Sequence, residues 1–325
     1  MQRIAYVLLI ILLICLAPAK PVDFTAVYHG VQALLDGVSP YDQSITDLNQ
    51  LSTYGRLALP DEDQMRIAHP LTSLLLLLPI GLLPLKLATV LYCVGSLVLL
   101  CAALVRLGAP WWWAALLVLL LREPLASFFL GQIALLAAAA TAWAVVALKE
   151  KRYGLAQACF VAASVHPVLT IPLALIVLPK RGLYLAIMIS AGLVSLLIEP
   201  LWALRWLETV RMYPAYVDYM VWLPSITPIV VPVGFVLLFL TEYKSILSGL
   251  VLLLPITGMY HMALFAPVFI KPTRIALLLI AILWAVSFME PSMKKAITPL
   301  TFVGAALSLE YRFNQKTLPV MQQSD

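Results

Sequence analysis

The chain has little charge. Lys, Arg, Asp and Glu make up 11% of its 325 residues, against about 25% in soluble globular proteins. Hydrophobic residues make up 63%, and the mean hydropathy is +0.98. The longest stretch free of a strongly apolar run, residues 42–68, is too short to bury a core of its own. A separate soluble domain is thereby excluded, and a single polytopic membrane domain over residues 1–325 is expected. Cysteine is scarce too. Cys15, Cys93, Cys101 and Cys159 all lie in apolar segments, with no CxxC pair and no zinc-ligand spacing, so they read as small hydrophobes. No metal or cofactor is expected. The net charge of +5 comes from short Lys/Arg clusters between apolar runs. That is the pattern of cytoplasmic loops, and it excludes a nucleic-acid-binding face.

What is present is a series of apolar runs, many shorter than the roughly 20 residues that cross about 30 Å of hydrocarbon. The 23 prolines, among them Pro79, Pro167, Pro172 and Pro232 inside those runs, predict broken spans. Lys149-Glu150-Lys151-Arg152 and Lys180-Arg181 are placed in the cytoplasm, so the run 154–178 between them has to leave and return. His166-Pro167 at its midpoint predicts a hairpin of two short helices turning near the outer face. The same parity puts Gly131-Gln132 outside and makes 70–84, broken by Pro70, Pro79 and Pro84, re-entrant or interfacial. The aromatic-rich segment 200–225 reads as a second outer loop or an ordinary aromatic belt. The polar tail from about 312 is placed in the cytoplasm.

The N-terminal run 4–16, with Arg3 before it and Ala17-Pro18-Ala19 after it, reads either as a signal peptide or as a first span. Residues 20–69 follow, with three basic residues (Lys20, Arg56, Arg66) against seven acidic ones. Within them Phe24, Val27, Tyr28, Val31, Leu34 and Leu35 form a stripe at helical spacing. Asp23 heads that helix, where it could serve as a simple cap.

Asp23-Phe24-Thr25-Ala26-Val27-Tyr28-His29-Gly30, running on to Gly37-Val38-Ser39-Pro40-Tyr41-Asp42, resembles the first-loop signature of glycosyltransferase family 87. These are polyprenol-phosphate-mannose-dependent mannosyltransferases of the GT-C fold. Weaker similarities follow. His69-Pro70 and the later prolines keep the spacing of a Tyr-Pro-Pro and Leu-rich motif. Arg122-Glu123-Pro124 leading to Gly131-Gln132 is similar to a Pro segment before Gly-Gln. His166-Pro167 stands where the family has Lys before a Pro-rich run, and Tyr260-His261 with Pro267 is similar to a late aromatic-His motif.

The resemblance implies an all-α, polytopic GT-C-like bundle, an uncleaved first span, and an outer first loop bearing an amphipathic helix. It implies Asp23 as catalytic base, with Tyr28, Tyr41, His69, Arg122, Gln132, His166 and His261 as substrate-binding residues. Arg122 and Glu123 are expected to pair, because unpaired charge is costly in apolar surroundings. The donor would be a polyprenyl-phosphate sugar, with mannose the expected hexose, and the acceptor a glycolipid or glycan. Transfer would occur at the outer face of the cell membrane, by inversion. Asp23, His166 and His261 are expected at the mouth of one cavity open sideways to lipid. Two alternatives stand beside this: a lipid or solute transporter, and a family-like chain without activity.

Overall fold

The computed structural model describes residues 2–60, 62–216, 220–221, 223–226, 228–240, 242–254, 256–257, 260–287 and 291–308. The tail expected from about 312–325 lies outside them, as do Tyr219 and Trp222 of the aromatic segment. The fold is all-α apart from one two-residue antiparallel ladder, Met220–Val221 against Ile256–Thr257.

Proline decides where several helices begin. α1 (Gln2–Leu16) leads to the first loop, which holds α2 (Val22–Leu35) and α3 (Gln43–Tyr54). Residues 70–84 form only the stubs α4 (Leu71–Leu76) and α5 (Leu78–Gly81), with Pro70 and Pro79 at their starts. A proline fixes the φ of a first helical turn and lacks the amide that an earlier turn would need. Pro84 then caps α6 (Leu85–Leu107), whose 23 residues make it, among the described residues, the one single helix long and apolar enough to cross a membrane. α7 (Trp111–Leu120) and α8 (Arg122–Leu130) form a pair bent by 64°, followed by α9 (Ile133–Lys149). α10 (Tyr153–Ala163) and α11 (Pro167–Val177) are the two short helices predicted about His166-Pro167. α12 (Gly182–Ile198) and α13 (Trp202–Tyr216) meet at a 96° bend. The remainder is α14 (Leu223–Ile226), α15 (Val230–Phe239), α16 (Tyr243–Leu253), a 3₁₀ segment (Tyr260–Phe269), α17 (Arg274–Ser287) and α18 (Pro291–Ser308).

Side-chain bonds fix the two ends of the bundle. At one end Arg106, closing α6, meets Glu150 beyond α9 at 2.5 Å, with Arg152 3.6 Å away. At the other, the first loop lies against the starts of α6 and α9. Between them the core is dense and apolar, with Leu97, Leu100, Ala142 and Ala144 wholly buried. α12 and α15 by contrast present bare apolar sides: Leu197 and Phe239 are each 84% exposed. Such surfaces are compatible with a helical membrane protein.

The first loop is tied internally by polar side chains. Asn49, almost fully buried, accepts from His29 Nδ1 at 2.8 Å and donates to the Met65 carbonyl at 3.1 Å. Met65 is held at φ 52°, a left-handed conformation that a non-glycine residue keeps only when its surroundings enforce it. Asn49→Ala leaves both partners unsatisfied, and the expected cost is about 1–3 kcal/mol. Limited proteolysis of the folded protein should then cut within 20–69 several times faster than in wild type. An unchanged rate would mean that the loop is held by other contacts.

Candidate active site

The carboxylate that the first-loop motif singles out is held by three helices. Pro21, not Asp23, occupies the N-cap of α2, and Asp23 makes no capping bond. Instead Gln132 Nε2 donates to Asp23 Oδ2. Gln132 is itself fixed, because its amide donates to the Ser127 carbonyl at 2.8 Å and its carbonyl accepts from Tyr92 Oη at 3.1 Å. The Tyr92 ring stacks on Phe24, centroids 4.6 Å apart. Gly131 makes the approach possible. It adopts φ +70°, and a Cβ there would stand 2.5 Å from Phe24 Cβ and 2.8 Å from Pro21 Cβ. α2 therefore rests on the backbone of the α8–α9 turn.

This packing changes the acidity of Asp23. Burial pushes its pKa up to about 7, the Gln132 hydrogen bond opposes the shift, and the charge of Asp63 adds to it. Part of the side chain still reaches the surface. A carboxylate half ionised near neutrality is suited to take a proton.

The other expected site residues divide into groups. Tyr28 Oη donates to the Leu83 carbonyl and Tyr41 Oη to the His69 carbonyl, each at 2.8 Å. Their protons thus fasten the first loop to residues 69–83, although each oxygen can still accept. His69 and His166 come together, with ring centroids 6.2 Å apart, so the α10–α11 turn reaches the first-loop end of the bundle. Burial first, and His166 second, push the pKa of His69 down to about 3. It is therefore neutral at physiological pH and is no standing cation for a phosphate.

Arg122 stands apart from the Gly131–Gln132 turn. It opens α8, nine residues before Gly131, and at 1.5 Å per residue that places it roughly 13 Å from the Gly131–Gln132 turn. No ion pair joins it to Glu123 among the described residues. Both Glu123 carboxylate oxygens and Arg122 Nη1 are buried without a hydrogen-bond partner there. Both residues stand in the first turn of α8, and consecutive side chains of a helix do not face each other. The His261 side chain lies outside the described residues. Its 3₁₀ segment packs against α8 and α9, and Leu264 in it meets His166, Ala134 and Ala137.

Among the described residues, a hollow beside α2, lined by Phe24, Val27, Tyr28, Val31, Leu77, Ile80 and Gly81, has a volume of about 10 Å³, far short of a sugar ring. That is barely one water, and its walls are apolar. The physical reason is the tight seating of α2 on α5 and on the Gly131 turn. Among the described residues no cluster of His, Cys, Asp or Glu could hold a metal ion. Tyr92, Glu199 and Arg205 belong to this end of the molecule and were not singled out by sequence. Tyr92 had no signal, being one hydroxyl in an apolar run. Glu199 and Arg205 had one, since they flank the tryptophans of the second expected outer loop. Comparisons with protein-family models, with curated proteins and with solved structures each found no match.

Proposed function

We propose that the chain is an integral membrane hexosyltransferase of the GT-C type, working at the outer face of the cell membrane. In this reading it moves a hexose, mannose by the first-loop resemblance, from a polyprenyl-phosphate donor to a glycolipid or glycan acceptor. The observation that carries the reading is the Asp23 carboxylate, fixed at one oxygen by Gln132 and raised toward neutrality by burial. Asp23 would take the proton of the acceptor hydroxyl as that oxygen attacks the anomeric carbon. The bond to the phosphate oxygen breaks in line, the polyprenyl phosphate departs, and the anomeric configuration inverts. His69 and His166 lie at the same end of the bundle. Neutral by themselves, they would become cations, and useful to the leaving group, only with a phosphate beside them.

Membrane placement has three supports: the span-length α6, the bare apolar sides of α12 and α15, and basic residues gathered at the end opposite Asp23. A second reading, a chain of this architecture without transfer activity, is favoured by the closed packing around α2. Purified full-length protein supplied with radiolabelled polyprenyl-phosphate mannose or glucose and a membrane-lipid extract decides between them. Label moving from donor to an extractable glycolipid supports transfer. Donor left intact with both sugars supports the second reading.

A further inference from the structure

Two polar atoms at the α12–α13 joint are buried with no hydrogen-bond partner among the described residues: Glu199 Oε2 and Trp202 Nε1. One accepts only and the other donates only. Buried groups of both kinds are nearly always paired, because an unpaired one keeps its full desolvation penalty, and a buried indole N–H usually finds an acceptor.

The surroundings hold these atoms in place. Glu199 Oε1 accepts from Ser39 Oγ at 2.8 Å and faces Arg205 Nη1 at 3.2 Å, while Arg205 also reaches Asp42 at 3.0 Å. Trp206 Nε1 donates to the Ala68 carbonyl at 2.8 Å. The Glu199 side chain is only 12% exposed, whereas Trp202 and Trp206, rings 6.3 Å apart, both keep part of their surface outside. The joint thus combines an unused acceptor, an unused donor and two aromatic rings, clamped to the first loop by Ser39, Asp42 and Ala68.

A hydroxyl has the chemistry that both atoms lack, since it can donate to Glu199 Oε2 and accept from Trp202 Nε1. An ammonium cannot accept from the indole. A phosphate or carboxylate cannot donate when ionised, and it would face the Glu199 and Asp42 charges, which already neutralise Arg205. Aromatic surface beside a few fixed polar groups suits a ligand with apolar C–H faces and several hydroxyls. We propose that the α12–α13 joint is a subsite for a sugar ring, bound through one hydroxyl by Glu199 and Trp202. Both atoms are covered, and they lie at the 96° bend, where the helical ladder is interrupted. Its role as an acceptor subsite rests on the glycosyl-transfer reading; the binding itself does not.

Saturation-transfer NMR on the full-length protein, in a detergent without a sugar head group, tests this with methyl α-mannopyranoside as probe. Wild type and Asp23→Asn should both receive saturation. Trp202→Phe keeps a ring and removes the N–H, and Glu199→Gln removes the charge, so each should weaken binding about tenfold. Size-exclusion profile and helical content should match wild type. No saturation in wild type, or equal binding in both variants, would overturn the subsite. Transfer assays separate it from the parent reading. Binding lost in Trp202→Phe, from a wild type that transfers no sugar, keeps the subsite and sinks the enzyme. Active transfer with binding unaffected by Trp202→Phe does the reverse.

Discussion

Under the proposed function, Asp23→Asn is expected to lower the transfer rate by about 10²–10⁴, the range that a positioned general base contributes. Asparagine keeps the shape and can still accept the Gln132 hydrogen bond through its amide oxygen, but it cannot take up a proton. The same variant has a stability signature. In wild type the Asp23 pKa rises from 3.8 to about 7 on folding. The folded state therefore holds the proton more tightly than the unfolded chain, and wild type loses stability as pH rises from 3.8 to about 7. Asparagine escapes that loss. Thermal unfolding should show the variant gaining on wild type between about pH 4 and pH 7. A cap would behave otherwise: Asn caps a helix about as well as Asp, so the difference between the two proteins would stay nearly constant over that range. Transfer near the wild-type rate would end the assignment of Asp23 as base.

Gly131→Ala should have the next largest effect, through geometry alone. Alanine at φ +70° costs about 1–2 kcal/mol, and overpacking against Pro21 and Phe24 adds about 1–3 kcal/mol. Neither neighbour can yield without lifting α2 from the α8–α9 turn, because the near atoms are Cβ atoms close to the backbone. Asp23 and Gln132 would then separate, and activity should fall together with the melting temperature. Gly95→Ala is the control. Nothing lies within 4 Å of a Cβ at Gly95, inside α6, and alanine there should stabilise by about 0.5–1 kcal/mol. Equal melting temperatures for the two variants would show that the Gly131 turn has room to relax.

Local features of this fold were legible in the sequence because proline and periodicity act locally. Pro70 and Pro79 announced the stubs at 71–81, and His166-Pro167 announced the α10–α11 hairpin. The apolar stripe of α2 was legible as far as Leu34. Leu35 is exposed, because the helix ends there and the chain turns at Asp36-Gly37. Long-range pairings were not legible. Gln132 meets Asp23 across 109 positions, and nothing in either segment specifies the other. Arg122 and Glu123 are neighbours in sequence that do not bond, because consecutive residues of one helix point to different sides. Tyr28 and Tyr41 were selected as ligand contacts on motif position, yet their hydroxyl protons go to backbone carbonyls. A motif marks where a side chain sits along the chain, while its partners depend on how remote helices converge.

The measurement closest to the central claim is the pH dependence of transfer from radiolabelled polyprenyl-phosphate mannose, by wild type and by Gln132→Leu. Asp23 acts as base only when ionised, so wild-type kcat/KM should climb with pH and level off above about 7. Gln132 stabilises the ionised form, so its removal should move that rise to higher pH and lower the rate at neutrality while sparing the plateau. A rise that stays in place when Gln132 is removed, or a profile flat through neutrality, would contradict a base held at this carboxylate.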